Sequence, residues 1–143
     1  MHVSDLLAVK GREVATISQE HSVTEALALL RERGIGAIVV TSAVASLSGI
    51  LSERDIVRAL AEHGASALDM AVTDLMSTTV TTCTEETSVD ELMALMTERR
   101  IRHVPVVVDA ALVGLVSIGD VVKARVDELE RDRRELIDYV NAR

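Results

Sequence analysis

The chain of 143 residues has almost no aromatic side chains: it contains no Trp and no Phe, and Tyr139 is its single tyrosine. Proteins that bind single-stranded nucleic acid stack its bases on aromatic side chains, and here that platform is missing. The formal net charge of −8 also repels a phosphate backbone. We therefore expect no nucleic-acid partner, and we expect any planar ligand to be held between aliphatic side chains.

Cysteine is equally scarce, since Cys83 is the only one in the chain. An intrachain disulfide is impossible, which suits a reducing compartment. No apolar run reaches the roughly 18 residues that a membrane span needs, and the opening segment MHVSDLLAVKGREV lacks the regions of a signal peptide. We therefore expect a cytoplasmic protein without a membrane partner, and its hydrophobic content of 48% predicts a folded core.

What the sequence does contain is an internal repeat. Residues 14–40 align without a gap with residues 80–106, and one loop residue fewer in the second copy then aligns Gly49 with Gly114 and Asp55 with Asp120. A short segment, VSDLL or VTDLM, precedes each copy, and the first lead-in, AVKGREV, is the longer one. We place the first repeat at 1–66 and the second at 67–126, with 127–143 continuing the last helix.

Each copy predicts the order strand, helix, strand, strand, helix, a mixed α/β (α+β) fold. Runs 14–17 and 80–83 predict the first strands, while Ser22 with Glu25 and Ser88 with Glu91 predict capping boxes. A unit of about 60 residues has a marginal core by itself. We therefore expect the copies to pack against each other with pseudo-two-fold symmetry, which creates two equivalent clefts.

The last predicted helix, from about Gly119 to Tyr139, carries an apolar stripe. The stripe consists of Val122, Val126, Leu129, Leu136 and Val140, and Arg133 interrupts it. Such a stripe favours packing on the helix's own module or a dimer contact, and its length does not separate the two.

Several catalytic and binding motifs are absent. Gly34-Ile35-Gly36 follows a predicted helix and lacks the strand–glycine–helix context of a dinucleotide fingerprint. No phosphate-binding loop occurs, and the four histidines lack the spacing of zinc ligands. Asp55 and Asp120 are weak candidates for an acid–base pair, because such pairs place their carboxylates in different environments and a repeat supplies the same environment twice. An enzyme is therefore the disfavoured interpretation.

One frame, Gly-x-x-Ser-x-x-Asp, is written twice, in GILSERDIV (first motif, 49–57) and GLVSIGDVV (second motif, 114–122). Ser52 and Ser117 stand where helices begin, so each Ser-x-x-Asp is explained by helix capping. A carboxylate at the end of a strand, facing a cleft, can also accept hydrogen bonds from a ribose diol, and a helix N-terminus can receive a phosphate. The sequence supports both roles.

The repeat resembles the cystathionine β-synthase (CBS) domain, and the two copies together resemble a CBS pair, or Bateman module. The segments SVTEALALLRERGIGAIVV…GILSERDIVRAL and SVDELMALMTERRIRHVPVVV…GLVSIGDVVKAR carry the resemblance, and KGREVATI and SERDIVR are similar to stand-alone bacterial CBS-pair proteins. The resemblance implies an adenosyl ligand: AMP, ADP, ATP, NAD(H) or S-adenosylmethionine. AMP is the ligand we expect first, and it would act as a regulatory ligand of an energy or redox sensor in signal transduction.

The resemblance also implies roles for individual residues. Asp120 and Asp55 would hold the ribose, and Ser117 and Ser52 would contact ribose or phosphate. Arg102, His103 and Arg54 would meet phosphate, with Lys10 as a further candidate. Adenine would contact the remaining implied residues, which are the backbone of Thr82-Cys83 or Thr16-Ile17 and the side chains of Val104, Pro105 and Ile38.

The two clefts are expected to be unequal, because Arg102 and His103 replace Gly36 and Ala37. The prediction is one dominant site built on Asp120, in a homodimer that signals to a downstream protein. The alternative is an interaction scaffold whose clefts stay empty.

Overall fold

A computed structural model describes residues 1–143. Two repeats of mixed α/β structure follow each other along the chain, and each is preceded by a short helix. The elements in order are α1 (Val3–Lys10), β1 (Thr16–Ser18), α2 (Val23–Arg33), β2 (Ala37–Thr41), β3 (Gly49–Ser52), α3 (Glu53–His63), a 3-10 helix (Gly64–Asp69), α4 (Val72–Leu75), α5 (Val89–Arg99), β4 (His103–Val108), β5 (Ala111–Ser117) and α6 (Ile118–Asn141).

The strands form one small sheet in each repeat. In the first, β1 pairs in parallel with β2, which pairs antiparallel with β3. In the second, β4 and β5 form an antiparallel pair. The strand predicted at 80–83 is reduced to one parallel bridge between Cys83 and Val106, because only Cys83 exchanges backbone hydrogen bonds with β4, through Pro105 and Val107. The predicted tandem fold is otherwise confirmed.

The helix caps follow the sequence closely. Ser88 caps α5, and Glu91 returns a hydrogen bond to the Ser88 backbone N–H, so the predicted capping box is present. In the first repeat the Ser22 side chain accepts a hydrogen bond from Glu25 N, but the Glu25 carboxylate pairs with His21. The second hydrogen bond of the predicted capping box is therefore missing. Gly34 ends α2 in the left-handed (αL) backbone conformation, with φ of 62°. Its counterpart after α5 is Arg100, which has the same conformation with φ of 54°.

The two short helices are exchanged between the repeats. Helix α1 contributes Val3, Leu6 and Leu7 to the core of the second repeat. Helix α4 contributes Val72 to the core of the first. Equivalent backbone hydrogen bonds of 2.8 Å dock both helices, from Val3 N to Thr87 O and from Val72 N to His21 O. A boundary at residue 66 separates the two repeats along the chain but not the two cores. The helix before the first repeat packs in the second core, and the helix before the second repeat packs in the first core.

The exchange explains the glycine that opens each motif. A Cβ atom on Gly49 would lie 2.7 Å from Met76 Sδ and 2.8 Å from the Ser77 carbonyl oxygen. A Cβ atom on Gly114 would lie 2.7 Å from Leu7 Cδ2. All three distances are far below van der Waals contact, so the close packing of Met76 and Leu7 requires a glycine at the start of each motif.

The long helix α6 is covered only near its start, where Val121 is buried. All five residues of the predicted stripe are exposed, from 47% at Val126 to 66% at Leu129 and Val140. The stripe is therefore not packed on its own module, which was one of the two interpretations of the sequence. No helix combines the length and the apolar content that crossing a membrane requires.

Candidate functional site

The two Ser-x-x-Asp segments form nearly identical caps. The Ser52 side chain accepts a hydrogen bond from Asp55 N at 3.3 Å, and Asp55 Oδ2 accepts from Ser52 N at 2.9 Å. At Ser117 and Asp120 the same distances are 3.3 Å and 2.8 Å. These bonds use only Oδ2 of each aspartate, so capping leaves Oδ1 of each free to accept a hydrogen bond from a ligand.

The first motif opens onto a cavity of about 620 Å³, a volume typical of small-molecule sites. We call it the arginine cavity. Its walls come from both repeats and from the segment between them: Gly36, Ala37, Ile50, Ser52, Glu53, Arg54, Asp55, Arg58, Ser77, Thr79, Val80, Thr81, Arg99, Arg100, Ile101, Arg102, His103, Ser117, Ile118 and Gly119.

The lining of this cavity is strongly basic in a protein of net charge −8. Arg54, Arg58, Arg99, Arg100 and Arg102 face two carboxylates, Glu53 and Asp55. None of the five arginines takes part in the ion pairs of the structure. Guanidinium groups without a carboxylate partner attract anions, and their planar donors match the geometry of phosphate oxygens.

The lining also includes backbone without hydrogen-bond partners in the chain. Thr79, Val80 and Thr81 lie outside the strands, and none of their backbone groups hydrogen-bonds within the chain. Thr79 is exposed and Val80 and Thr81 are partly exposed, so their backbone groups are available to hydrogen-bond with an occupant of the cavity. It belongs to the lead-in of the second repeat, so the first motif faces the other repeat's chain.

The second motif has a different environment. Lys10, at the end of α1, places Nζ 2.7 Å from Asp120 Oδ2 and 2.6 Å from the Leu115 carbonyl oxygen. Burial alone would raise the pKa of Asp120, but hydrogen bonds from Lys10 and Ser117 outweigh it and hold that pKa below its ordinary value. Asp120 does not line the arginine cavity.

His103 lies between the two motifs. Its ring lies beside Gly36, where an added Cβ would be 3.4 Å from His103 Cε1, an ordinary van der Waals contact. Burial lowers the pKa of His103, Lys10 and Arg102 lower it further, and Asp120 and Glu53 oppose them. These influences favour the neutral imidazole, which lies near charged groups of both motifs.

The site residues predicted from the sequence fall into two groups, those that line the arginine cavity and those that do not. The structure brings Ser52, Arg54, Asp55, Arg102, His103 and Ser117 together around the arginine cavity. The residues expected to contact adenine line neither this cavity nor the apolar groove between α2 and α3: Thr16, Ile17, Ile38, Thr82, Cys83, Val104 and Pro105.

Burial accounts for most of that second group. Ile17 and Ile38 belong to the first core, and Cys83 and Val104 belong to the second. The Cys83 backbone N–H and C=O are both taken by pairing with β4, and burial raises the pKa of its thiol to about 11. Thr16 and Thr82 are exposed, so their backbone contact with adenine stays a prediction.

Sequence reasoning missed Arg58, Arg99 and Arg100. Arg58 lies one helical turn after Arg54 and therefore on the same face of α3, a spacing that would have identified it. Arg99 and Arg100 needed the structure, because the turn after α5 decides where they lie.

The comparisons agree with this architecture. The CBS domain family matches residues 3–62 and 72–127. This chain belongs to the CBS-domain family. It is 35% identical over 146 residues to the mitochondrial CBS domain-containing protein CBSX3 of Arabidopsis thaliana, covering 96% of this chain and 71% of that protein. It is 34% identical to the CBS domain-containing protein YhcV of Bacillus subtilis, covering 76% of each.

Solved CBS structures have the same fold. The CBS-domain protein ATU1752 of Agrobacterium tumefaciens superposes with a TM-score of 0.85 at 46% identity, covering 87% of this chain and 92% of that one. The CBS pair of protein MJ0100, solved with 5′-methylthioadenosine and S-adenosyl-L-methionine, superposes with a TM-score of 0.79 at 26% identity, covering 90% and 98%. CBS pairs are regulatory modules, and the pair of MJ0100 binds adenosyl compounds.

Proposed function

We propose that the chain is a regulatory CBS pair that binds a phosphate-bearing adenine nucleotide in the arginine cavity, without catalysis of its own. The observation that carries the proposal is the meeting, in one cavity, of a free carboxylate oxygen, unpaired backbone and five unpaired arginines. Ribose hydroxyls would donate to Asp55, adenine would contact Thr79–Thr81, and phosphate would lie among the arginines.

The charge of the cavity also selects among adenosyl ligands. AMP, ADP, ATP and NAD(H) bring negative phosphates, which the guanidinium groups attract, whereas S-adenosylmethionine brings a positive sulfonium. We therefore keep AMP as the first ligand to test and place S-adenosylmethionine last, although the pair of MJ0100 binds it. The sequence predicted the dominant site at Asp120; we propose the Asp55 side instead, because the volume and the arginines lie there.

Signalling would follow from where the ligand sits. The cavity is lined by residues of both repeats, so an occupant contacts both and changes the balance between their arrangements if it binds one better. The exposed stripe of α6 supports the further proposal of a homodimer. The cytoplasmic location, the downstream protein and the role as an energy or redox sensor stay predictions from the sequence.

Calorimetric titration tests the site. We expect AMP to bind the unsubstituted chain and to bind Asp55→Asn at least tenfold more weakly, because the amide keeps the shape of the side chain but presents one acceptor and no charge to the diol. Asp120→Asn is the matched control and should keep the affinity of the stronger site. S-Adenosylmethionine should bind more weakly than AMP in every variant.

Thermal unfolding gives an independent readout, since a ligand at 100 times its Kd should stabilise the chain by about 2.7 kcal/mol. No shift with AMP, ADP, ATP, NADH or S-adenosylmethionine would contradict the proposal and favour an interaction scaffold. Loss of AMP binding in Asp120→Asn but not in Asp55→Asn would return the dominant site to Asp120.

A further inference from the structure

The second motif already has an occupant, and that occupant is part of the chain. Lys10 Nζ donates to Asp120 Oδ2 at 2.7 Å and to the Leu115 carbonyl at 2.6 Å. The ion pair is half-sheltered, with 33% of the Lys10 side chain and 23% of the Asp120 side chain exposed. The ammonium group therefore occupies Oδ2 and leaves Oδ1 open, so a ribose diol that donates to both carboxylate oxygens has to displace it.

The first motif has no such cation. Asp55 takes part in no ion pair, and the carbonyl of Ile50, which occupies the place of Leu115, accepts a hydrogen bond from Ser77 N at 2.9 Å. In the second motif a side-chain ammonium replaces that backbone N–H. The difference follows from the longer lead-in of the first repeat, which continues α1 to Lys10 where α4 ends at Leu75.

The replacement changes what a ligand must bring. An uncharged nucleoside can offer hydroxyls to Asp120, but it displaces the ammonium and leaves that charge without a counterion. A nucleotide also carries a phosphate, which can take over the displaced ammonium. His103 lies near both Asp120 and Lys10, and Arg102 lies near His103, so the phosphate would enter a region that borders a further cation and an imidazole.

We propose that Lys10 is a displaceable internal ligand of Asp120, which restricts the second cleft to adenosyl ligands that carry a phosphate. On binding, the ribose diol replaces the ammonium at Asp120, and Lys10 turns to the phosphate. This inference rests on the proposed nucleotide-binding function and assigns the selectivity of its second cleft to one side chain.

The test weakens the first cleft by using the full chain with Asp55→Asn in every arm, so that any change caused by a Lys10 substitution reports on the second cleft, and it measures calorimetric affinities for AMP and adenosine. With Lys10 present, we expect AMP to bind at least tenfold more tightly than adenosine. Lys10→Met should reduce that ratio at least tenfold, by weakening AMP and strengthening adenosine. Lys10→Arg keeps a cation and should keep the preference for AMP.

Arg12→Met is the matched control, because Arg12 is a cation of the same lead-in whose partner is Glu85; its AMP-to-adenosine ratio should not change. An unchanged ratio in Lys10→Met overturns the inference, and so does an Asp55→Asn chain that binds no AMP although the unsubstituted chain does. Absence of AMP binding in the unsubstituted chain contradicts the proposed function itself, which distinguishes the two failures.

Discussion

The two motifs have matching caps and different neighbours. Around Asp55 the carboxylate opens onto a cavity of about 620 Å³ with five unpaired arginines. Around Asp120 the chain's own Lys10 is already bound. The frame Gly-x-x-Ser-x-x-Asp is therefore sufficient for a helix start in both places, and the residues outside it decide what each carboxylate meets.

The comparison separates two kinds of constraint. Serine and aspartate in each motif satisfy the backbone groups at the start of α3 or α6, which is a requirement of the fold. The arginines come from α3, from the last residue of α5 and from the chain after it, and Lys10 comes from a helix that packs in the core of the other repeat. Ligand preference can thus change by substitution at these positions while the caps remain intact.

The exchanged helices provide the largest expected effect. Leu7→Ala should destabilise the chain by about 2–5 kcal/mol, because a fully buried leucine leaves a cavity and Leu7 is 1% exposed in the second core. Met76→Ala, at the related place in the first repeat, should cost less, since Met76 is half-buried. Urea unfolding measures both free energies.

Val9→Ala is the control for Leu7, because Val9 lies on the same helix with 81% of its side chain exposed. Its unfolding free energy should stay within about 0.5 kcal/mol of the unsubstituted chain. Equal losses for Leu7→Ala and Val9→Ala would show that α1 is not part of the second core.

The glycines that open the two motifs test how tightly each exchanged helix packs against its motif. Gly49→Ala and Gly114→Ala should each destabilise by about 1–3 kcal/mol through overpacking. The Gly49 substitution should cost more, because its Cβ meets the Ser77 backbone at 2.8 Å as well as Met76, whereas that of Gly114 meets only the side chain of Leu7. Chemical denaturation gives the ranking, and the reverse order would contradict the packing described for α4.

The smallest expected change in stability concerns the residues that end α2 and α5, which are Gly34 and Arg100. Arg100→Gly should stabilise the chain by an amount on the order of 1 kcal/mol, because Arg100 adopts the αL conformation that is costly for residues other than glycine. It should also weaken AMP binding, since a guanidinium leaves the arginine cavity. Thermal unfolding and calorimetry measure the two changes.

Gly34→Ala is the matched substitution in the first repeat. An added Cβ at Gly34 meets nothing within 4 Å, so its expected cost, again on the order of 1 kcal/mol, comes from φ alone. If Arg100→Gly destabilises the chain while AMP binding is unchanged, Arg100 has a structural role instead of a role at the ligand.

Much of the fold could be predicted because the residues that begin and end the helices of each repeat act over only a few positions in the sequence. Ser22, Ser88 and Gly34 mark helix ends through hydrogen bonds within a few residues, and the structure confirms these ends. The incomplete capping box at Glu25 differs because His21, one turn away, competes for the carboxylate. Local chemistry was sufficient wherever the partner lies nearby in the chain.

The exchange of α1 and the position of Lys10 could not be predicted in the same way. Lys10 and Asp120 are 110 residues apart, and nothing in VSDLLAVK identifies which of two similar cores it joins. The adenine contacts illustrate the same limit, since Ile38 and Val104 are apolar whether they face a ligand or a core, and the structure places them in the cores.

The order of synthesis gives α1 an unusual history. Its apolar residues are synthesised long before Val121, the most C-terminal buried residue of the core that they join. At ordinary elongation rates the helix waits roughly 5 to 20 seconds for its partners, while the first repeat can already begin to assemble around α4. During that interval the nascent chain carries Val3, Leu6 and Leu7 without the core that covers them in the folded protein.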